Sequence, residues 1–184
     1  MPTVTYRITI SNDDCAEDPR GWSSVGKMYC EHSQYKLGDG SLDEFLQSID
    51  YEGDNRNIGE ICEYLNKSGY AVPISMTEHS CINVYRGAPN DPWDAGYLGV
   101  YYVENRNDMT DEELNDNIDG ELNEYNHYLN GEYYCYLVEK TVEMNGWTKT
   151  EQIDSCGGYS EVNFCETEAR ECVPKGYEPV VRFV

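Results

Sequence analysis

The stretch from Asp108 to Asn130, DMTDEELNDNIDGELNEYNHYLN, constrains this 184-residue chain more than any other, because it joins the clearest helical period to the densest charge. Leu114, Ile118, Leu122, Tyr125 and Leu129 recur at steps of four, four, three and four, which lays one apolar stripe along a helix. Thr110 is suited to cap that helix, and Glu113 three residues on completes a capping box. Eight carboxylates, Asp108, Asp111, Glu112, Glu113, Asp116, Asp119, Glu121 and Glu124, occupy the other faces, and no Lys or Arg lies between Asn107 and Glu139 to pair with them. At about 1.5 Å per residue, 108–124 spans roughly 24 Å, or about one negative charge per 3 Å. A single DNA strand carries one per about 3.4 Å. These eight residues are therefore the candidate partner-binding surface, one that competes with nucleic acid for a basic groove. The competing reading is a solvated helix face.

The charge excess extends beyond this helix. With 35 acids against 13 bases the formal charge is −22, and self-repulsion of that size works against the compact state. Disorder is one consequence such a composition can have, but 17 Tyr, three Trp and three Phe supply the area that a core and an interface need. Halophilic adaptation also yields acidic surfaces, though without clustering or a particular partner. An anionic protein repels nucleic acid and acidic membranes, so the expected partner is a basic, nucleic-acid-binding protein, with no direct binding of nucleic acid and none of membrane.

The opening residues, MPTVTYRITI, hold no apolar segment behind basic residues, and no run of about 18 apolar residues occurs. The expectation is a soluble protein of the cell interior, the cytoplasm of a bacterial host. Eight cysteines in that setting are expected to be reduced thiols, and with no CxxC pair a zinc finger or ribbon is not expected.

The chain reads as intermixed strands and helices. TVTYRITI at 3–10 alternates and is β-branched, a strand pattern; 26–35 is a second candidate strand, running into the turn LGDGS at 37–41. Ser41, with Glu44 in capping-box position, starts a short helix whose apolar face is Leu42, Phe45, Leu46 and Ile49, and a second helix is expected at 58–68. Short β-like runs follow (AVPISM, CINVYRG, GYLGVYYVE), then the long helix, then EYYCYLVEKTVEM with a hairpin signal at Asn145-Gly146. Gly157-Gly158 suggests a turn, NFCETEARECV a short helix and EPVVRFV a last strand. Without regular β-α-β alternation the fold class is α+β, with an antiparallel or mixed sheet, one long acidic helix and two shorter helices, in a single domain over 1–184.

Candidate chemistry is sparse. Asn115, Asn117, Asp119 and Gly120 fall at offsets that resemble a calcium loop, but its twelfth position holds Asn126 where an acid is needed. Cys30 with His32, and His79 with Cys81, could share a strand face as thiol–imidazole pairs, though no third orienting group accompanies either. With no phosphate-cradling glycine loop, HExxH or GxSxG, no catalytic residue, metal ligand or cofactor is expected, and the chain is not read as an enzyme. Half of the tyrosines grouped at 97–102 and 125–136 are expected in the core; the rest could stack on arginine of a partner.

Three stretches carry a resemblance: NDDCAEDPRGWSSVGKMYCEHSQYKLGD at 12–39, NDPWDAGYLGVYYV at 90–103, and ELNEYNHYLNGEYYCYLVE with DSCGGY at 121–139 and 154–159. They resemble a family of small acidic proteins of phages and other bacterial mobile elements. The shared pattern falls on Asp18-Pro19-Arg20, Trp22, Gly26, Met28, Tyr35, Leu37-Gly38-Asp39, Pro92-Trp93-Asp94, Gly96, Tyr125, Tyr128-Leu129 and Gly131. Ser33-Gln34 stand where the family carries basic residues, so an anion contact is not expected there. The resemblance implies a context similar to that of anti-restriction and anti-CRISPR proteins, inhibitors of host defence that occupy DNA sites on nucleases. Joined to the charge, it points to an inhibitor of a Cas9-type effector, whose arginines and heteroduplex channel form a large basic target. The alternative is a metal-binding or small-molecule-binding accessory protein of a mobile element whose acidity is incidental.

Overall fold

The computed structural model describes residues 2 to 184 and shows an α+β fold of nine strands and four helices among them. They divide into two compact units, one formed by the chain up to Glu17 together with His127–Val184, the other by Asp18–Asn126. No low-complexity linker marks this division in the sequence. The acid excess, however, is concentrated in the second unit, which holds 22 acids and 7 bases against 13 and 6 in the first.

The first unit is built on β1 (Thr3–Asn12), β7 (Tyr134–Met144), β8 (Trp147–Tyr159) and β9 (Val180–Phe183), in the order β8-β7-β1-β9, with α4 (Val162–Glu171). The sheet is mixed: β1 runs antiparallel to β7 from Thr3↔Glu143 to Asn12↔Tyr134 and parallel to β9. Alternation along β1 sends Tyr6, Ile8 and Ile10 to one face, where they pack with Tyr136 and Val138 of β7 and with Cys165 and Ala169 of α4. Asn145 and Gly146 both take positive φ, the two-residue hairpin turn that their sequence signals. The turn expected at Gly157-Gly158 is instead part of β8. The Asp13 carboxylate approaches the backbone there and accepts the Gly158 N–H at 2.8 Å, through space that a Cβ on Gly157 would fill.

In the second unit β2 (Lys27–Cys30), β3 (Gly40–Ser41), β4 (Tyr70–His79), β5 (Cys81–Arg86) and β6 (Ala95–Val103) form a mixed sheet in the order β3-β2-β6-β4-β5. The central strand, β6, is buried on both faces. Val100 and Tyr102 pack with α1 (Leu42–Ser48) and α2 (Ile58–Leu65), while Tyr101 faces the long helix α3 (Asp111–Leu129). The candidate strand at 26–35 stops at Cys30, because the backbone beyond is captured by other groups. Nδ1 of His32 accepts the N–H groups of Gln34 and Tyr35, each at 3.3 Å, and Asp39 closes the loop by donating its N–H to the Met28 carbonyl at 2.8 Å.

Helix α3 follows its sequence pattern closely. Thr110 and Glu113 exchange the two bonds of a capping box, the Thr110 N–H reaching Glu113 Oε2 at 2.8 Å and the Glu113 N–H reaching Thr110 Oγ1 at 3.2 Å. Leu114, Ile118, Leu122 and Tyr125 are buried and Leu129 is half-buried. At about 1.5–3 kcal/mol for each fully buried large apolar side chain, the stripe far outweighs intrinsic propensity in holding the helix. The helix is continuous through Gly120, and the calcium-like offsets lie inside it: Asn115 accepts the Tyr70 hydroxyl at 2.7 Å and Asn117 donates to the Glu113 carbonyl at 2.8 Å. No helix among the described residues is long and apolar enough to cross a membrane.

Gly120 is exposed, and a Cβ there meets nothing within 4 Å. Gly120→Ala should therefore raise stability by about 0.5–1 kcal/mol. In thermal unfolding this is an increase of roughly 1–4 °C, and a decrease would show that the helix needs its glycine.

Candidate partner-binding surface

Arg20 organises the centre of the second unit. Asp18 caps the short 3-10 turn Pro19–Gly21 by accepting the Arg20 N–H at 2.8 Å, and that turn aims the Arg20 side chain inward, where it is 4 % exposed. Its guanidinium donates to Asp39 Oδ2 from Nη2 at 2.6 Å and from Nε at 3.2 Å, and to Glu121 Oε2 from Nη1 at 2.9 Å. Both carboxylates are also held by backbone: Asp39 accepts the Met28 N–H at 2.7 Å, and Glu121 Oε1 accepts the Val25 N–H at 2.8 Å. The Tyr101 hydroxyl donates to Glu121, and the Tyr101 ring lies 5.3 Å under the guanidinium.

Burial alone would favour loss of the Arg20 charge. The hydrogen bonds and charge of Asp39 outweigh it, so the guanidinium holds its proton more firmly than an ordinary arginine. Burial, reinforced by Glu121, likewise keeps the Tyr101 hydroxyl protonated well above the usual tyrosine range. Burial pushes Tyr125 up to about 12, and its hydroxyl oxygen accepts the Gly38 N–H at 3.1 Å. Gly38 sits at φ +72, and a Cβ there would meet the Met28 carbonyl oxygen at 2.5 Å, so the Leu37-Gly38-Asp39 turn needs glycine at its middle position. The motif residues Asp18, Pro19, Arg20, Gly38, Asp39 and Tyr125 thus converge on one ion network.

The eight candidate acids do not share one environment. Asp108, Asp111, Glu112, Glu113, Asp116 and Asp119 are exposed, whereas Glu121 and Glu124 are half-buried. Glu121 turns inward to Arg20. Asp119 is gripped by Arg86 through two parallel bonds, Nε–Oδ1 at 2.9 Å and Nη2–Oδ2 at 2.7 Å. Asp111 pairs with Arg106, whose guanidinium also lies 5.3 Å over the Tyr70 ring. Glu113 folds back onto Thr110, and the Thr110 backbone N–H and hydroxyl hold its carboxylate below the ordinary range.

The expectation of a helix without counter-charge is therefore corrected. The bases absent from the local sequence arrive through the fold, from the turn at Arg20, the end of β5 and the loop before α3. With Asp111, Asp119 and Glu121 each facing a guanidinium, the outward charge along the helix is sparser than the about one per 3.4 Å of a DNA strand. What remains outward is a ridge built on Asp108, Glu112 and Asp116, in a unit whose excess of 15 acids over bases surrounds it. Sequence reasoning named Arg20 only as part of a motif and missed the pairing of Arg20, Arg86 and Arg106 with the helix. A signal was present for one of them: Glu121 is three residues after Ile118 and four before Tyr125, which places it at the edge of the apolar stripe.

The Pro92-Trp93-Asp94 motif forms a separate feature. Asp91 Oδ1 accepts the N–H groups of Trp93 and Asp94 at 2.8 and 3.0 Å, a turn that leaves the Trp93 side chain 90 % exposed. Of the two thiol–imidazole candidates, Cys30 with His32 is not supported: burial pushes the Cys30 thiol up to about 12, and His32 stacks on Tyr35 with ring centroids 5.1 Å apart, while His79 stands opposite Cys81 in the β4–β5 register with its Nδ1 3.5 Å from Asp94 Oδ2. All eight cysteines are free, and no three His, Cys, Asp or Glu side chains among the described residues are grouped to hold a metal ion. No family model, curated protein or solved structure matches this chain.

Arg20→Met should destabilise the protein by about 3–5 kcal/mol in urea unfolding, because it leaves Asp39 and Glu121 without their buried counter-ion. Adding Asp39→Asn and Glu121→Gln should recover a large part of that loss, and no recovery would place the cost in packing. Because the folded-state pKa of Glu113 is depressed, its contribution is present above the ordinary carboxylate range and is lost as pH falls through the folded value. The difference in melting temperature between the parent and Glu113→Ala should therefore be seen at neutral pH and shrink as pH falls below the ordinary glutamate value of about 4.3.

Proposed function

We propose that this protein inhibits a bacterial host-defence nuclease by placing the acidic face of its second unit in a basic nucleic-acid-binding groove. In its specific form the proposal is an anti-CRISPR protein that acts on a Cas9-type effector and competes with DNA. One observation carries it: a ridge of outward carboxylates at Asp108 and along α3 at Glu112 and Asp116, in a unit with 22 acids against 7 bases, with α3 tied to the Arg20 turn, to β5 and to the loop before it by three arginine–carboxylate links. Rigid presentation matters because a preorganised charged surface spends less of its interaction energy on ordering when it binds. In this reading the protein acts by occupancy and needs no catalytic group. A groove of about 580 Å³ lined by Tyr29, Phe45, Ile49 and Tyr102 favours the second reading, a small-molecule-binding accessory protein, for which calorimetry with candidate ligands is the test.

Binding to the nuclease should weaken steeply with salt, since exposed charge pairs are screened over about 10 Å at 0.1 M. Removing the outward charges with Asp108→Asn, Glu112→Gln and Asp116→Asn leaves every arginine-paired acid in place. At on the order of 1 kcal/mol per lost contact with a partly desolvated Arg or Lys, this triple variant should bind on the order of a hundredfold more weakly. Removing three charges from the other unit, at Asp14, Glu161 and Glu171, should change affinity far less. A folded triple variant that inhibits as well as the parent, or an affinity indifferent to salt, would return α3 to the status of a solvated face.

A further inference from the structure

The outer edge of the four-stranded sheet is long and uncovered. β8 bonds to β7 on one side only, no strand among the described residues pairs with its other side, and every residue from Trp147 to Gly158 is exposed. An unpaired edge of this length is a template for another strand, and proteins ordinarily blunt such edges with charge, proline or a bulge. Here there is no proline. The register slips between Val138 and Glu139, where Ile153 is the extra residue, so the regular part of the edge is 147–152. The charges on that part are one Lys and one Glu, which makes it locally neutral in a chain of net charge −22. Repulsion between two copies is therefore weaker here than over most of the surface.

The order of those residues is self-complementary. An antiparallel pair of two β8 edges with its two-fold axis at Thr150 sets Thr150 against itself, Lys149 against Glu151 of the second copy and Thr148 against Gln152. The half-exposed Trp147 comes against the bulged Ile153, where regular pairing ends. In one copy Lys149 Nζ already lies 3.2 Å from Glu151 Oε2 on the same face of the strand, so exchange of partners across the axis makes two ion pairs without reorienting the strand. The edge lysine that would otherwise repel a foreign strand becomes, in this one register, an attractive contact. Any register shifted by two residues breaks the match and leaves Lys149 facing Lys149 or Glu151 facing Glu151.

We propose that this protein forms a symmetric dimer through antiparallel pairing of β8 centred on Thr150, which joins two four-stranded sheets into one of eight strands. The inference does not rest on the function proposed above, and it engages a different unit from the acidic ridge.

Sedimentation of the intact chain across a wide concentration range tests it. The mass should move from 21.1 kDa toward twice that value, at lower protein concentration as salt rises, the opposite sense to nuclease binding. Lys149→Glu and Glu151→Lys should each raise the dissociation constant on the order of tenfold, by setting like charges opposite at two symmetric places. The double exchange, Lys149→Glu with Glu151→Lys, should restore it, with circular dichroism checking the fold of each variant. A chain that stays monomeric throughout would overturn the proposal, as would a dimer indifferent to either single change. A double exchange no better than the singles would overturn the register.

Discussion

The ion network around Arg20 is the constraint on which the second unit depends. One buried guanidinium ties three parts of the chain that are distant in sequence: the turn at Asp18, the loop that returns at Asp39, and the middle of α3 at Glu121. Buried charges of this kind cost several kcal/mol each to remove from water, and their attraction offsets that cost only when the remaining lone pairs and protons are also satisfied. Here they are. Backbone N–H groups complete both carboxylates, and the described residues contain no buried side-chain nitrogen or oxygen without a hydrogen-bond partner. Such a network adds little net stability over a well-packed apolar core, but it specifies one arrangement of turn, loop and helix.

It also changes the meaning of the acidity. Every arginine that pairs with α3 is supplied by another element, so the helix contributes charge both to the interior of its unit and to the solvent. Among the bases, Arg20 is buried and Arg86, Arg106 and Lys140 are half-buried, and three of these four pair with acids of α3. What α3 shows to solvent is then set by which of its acids these bases reach, and not by local sequence alone.

The elements that were legible in the sequence are those set by short-range physics. The stripe of α3, its capping box, the Ser41-capped helix and the Asn145-Gly146 hairpin are all decided within a few residues, and all are present. What was illegible depends on atoms brought in from elsewhere. The early end of β2 follows from capture of backbone by His32 and Asp39, and Gly157-Gly158 belongs to a strand because Asp13 reaches it from across the sheet. The candidate surface divides the same way: the positions of the acids could be read directly, but their pairing could not, because Arg20, Arg86 and Arg106 are neighbours of the helix only in three dimensions.

The two units also differ in how the chain enters them. The second is an unbroken segment, but the four-stranded sheet of the first is made from β1 and β7, whose paired ends, Asn12 and Tyr134, flank that whole segment. To zip these strands together from an unstructured chain means closing a loop of about 120 residues, and contacts of such long sequence separation form slowly. If the inserted segment is already folded, most of those residues are no longer free, and the closure entropy that remains is smaller by about 2 kcal/mol. The topology therefore favours an order of assembly in which folding of the acidic unit shortens the closure that pairs β1 with β7.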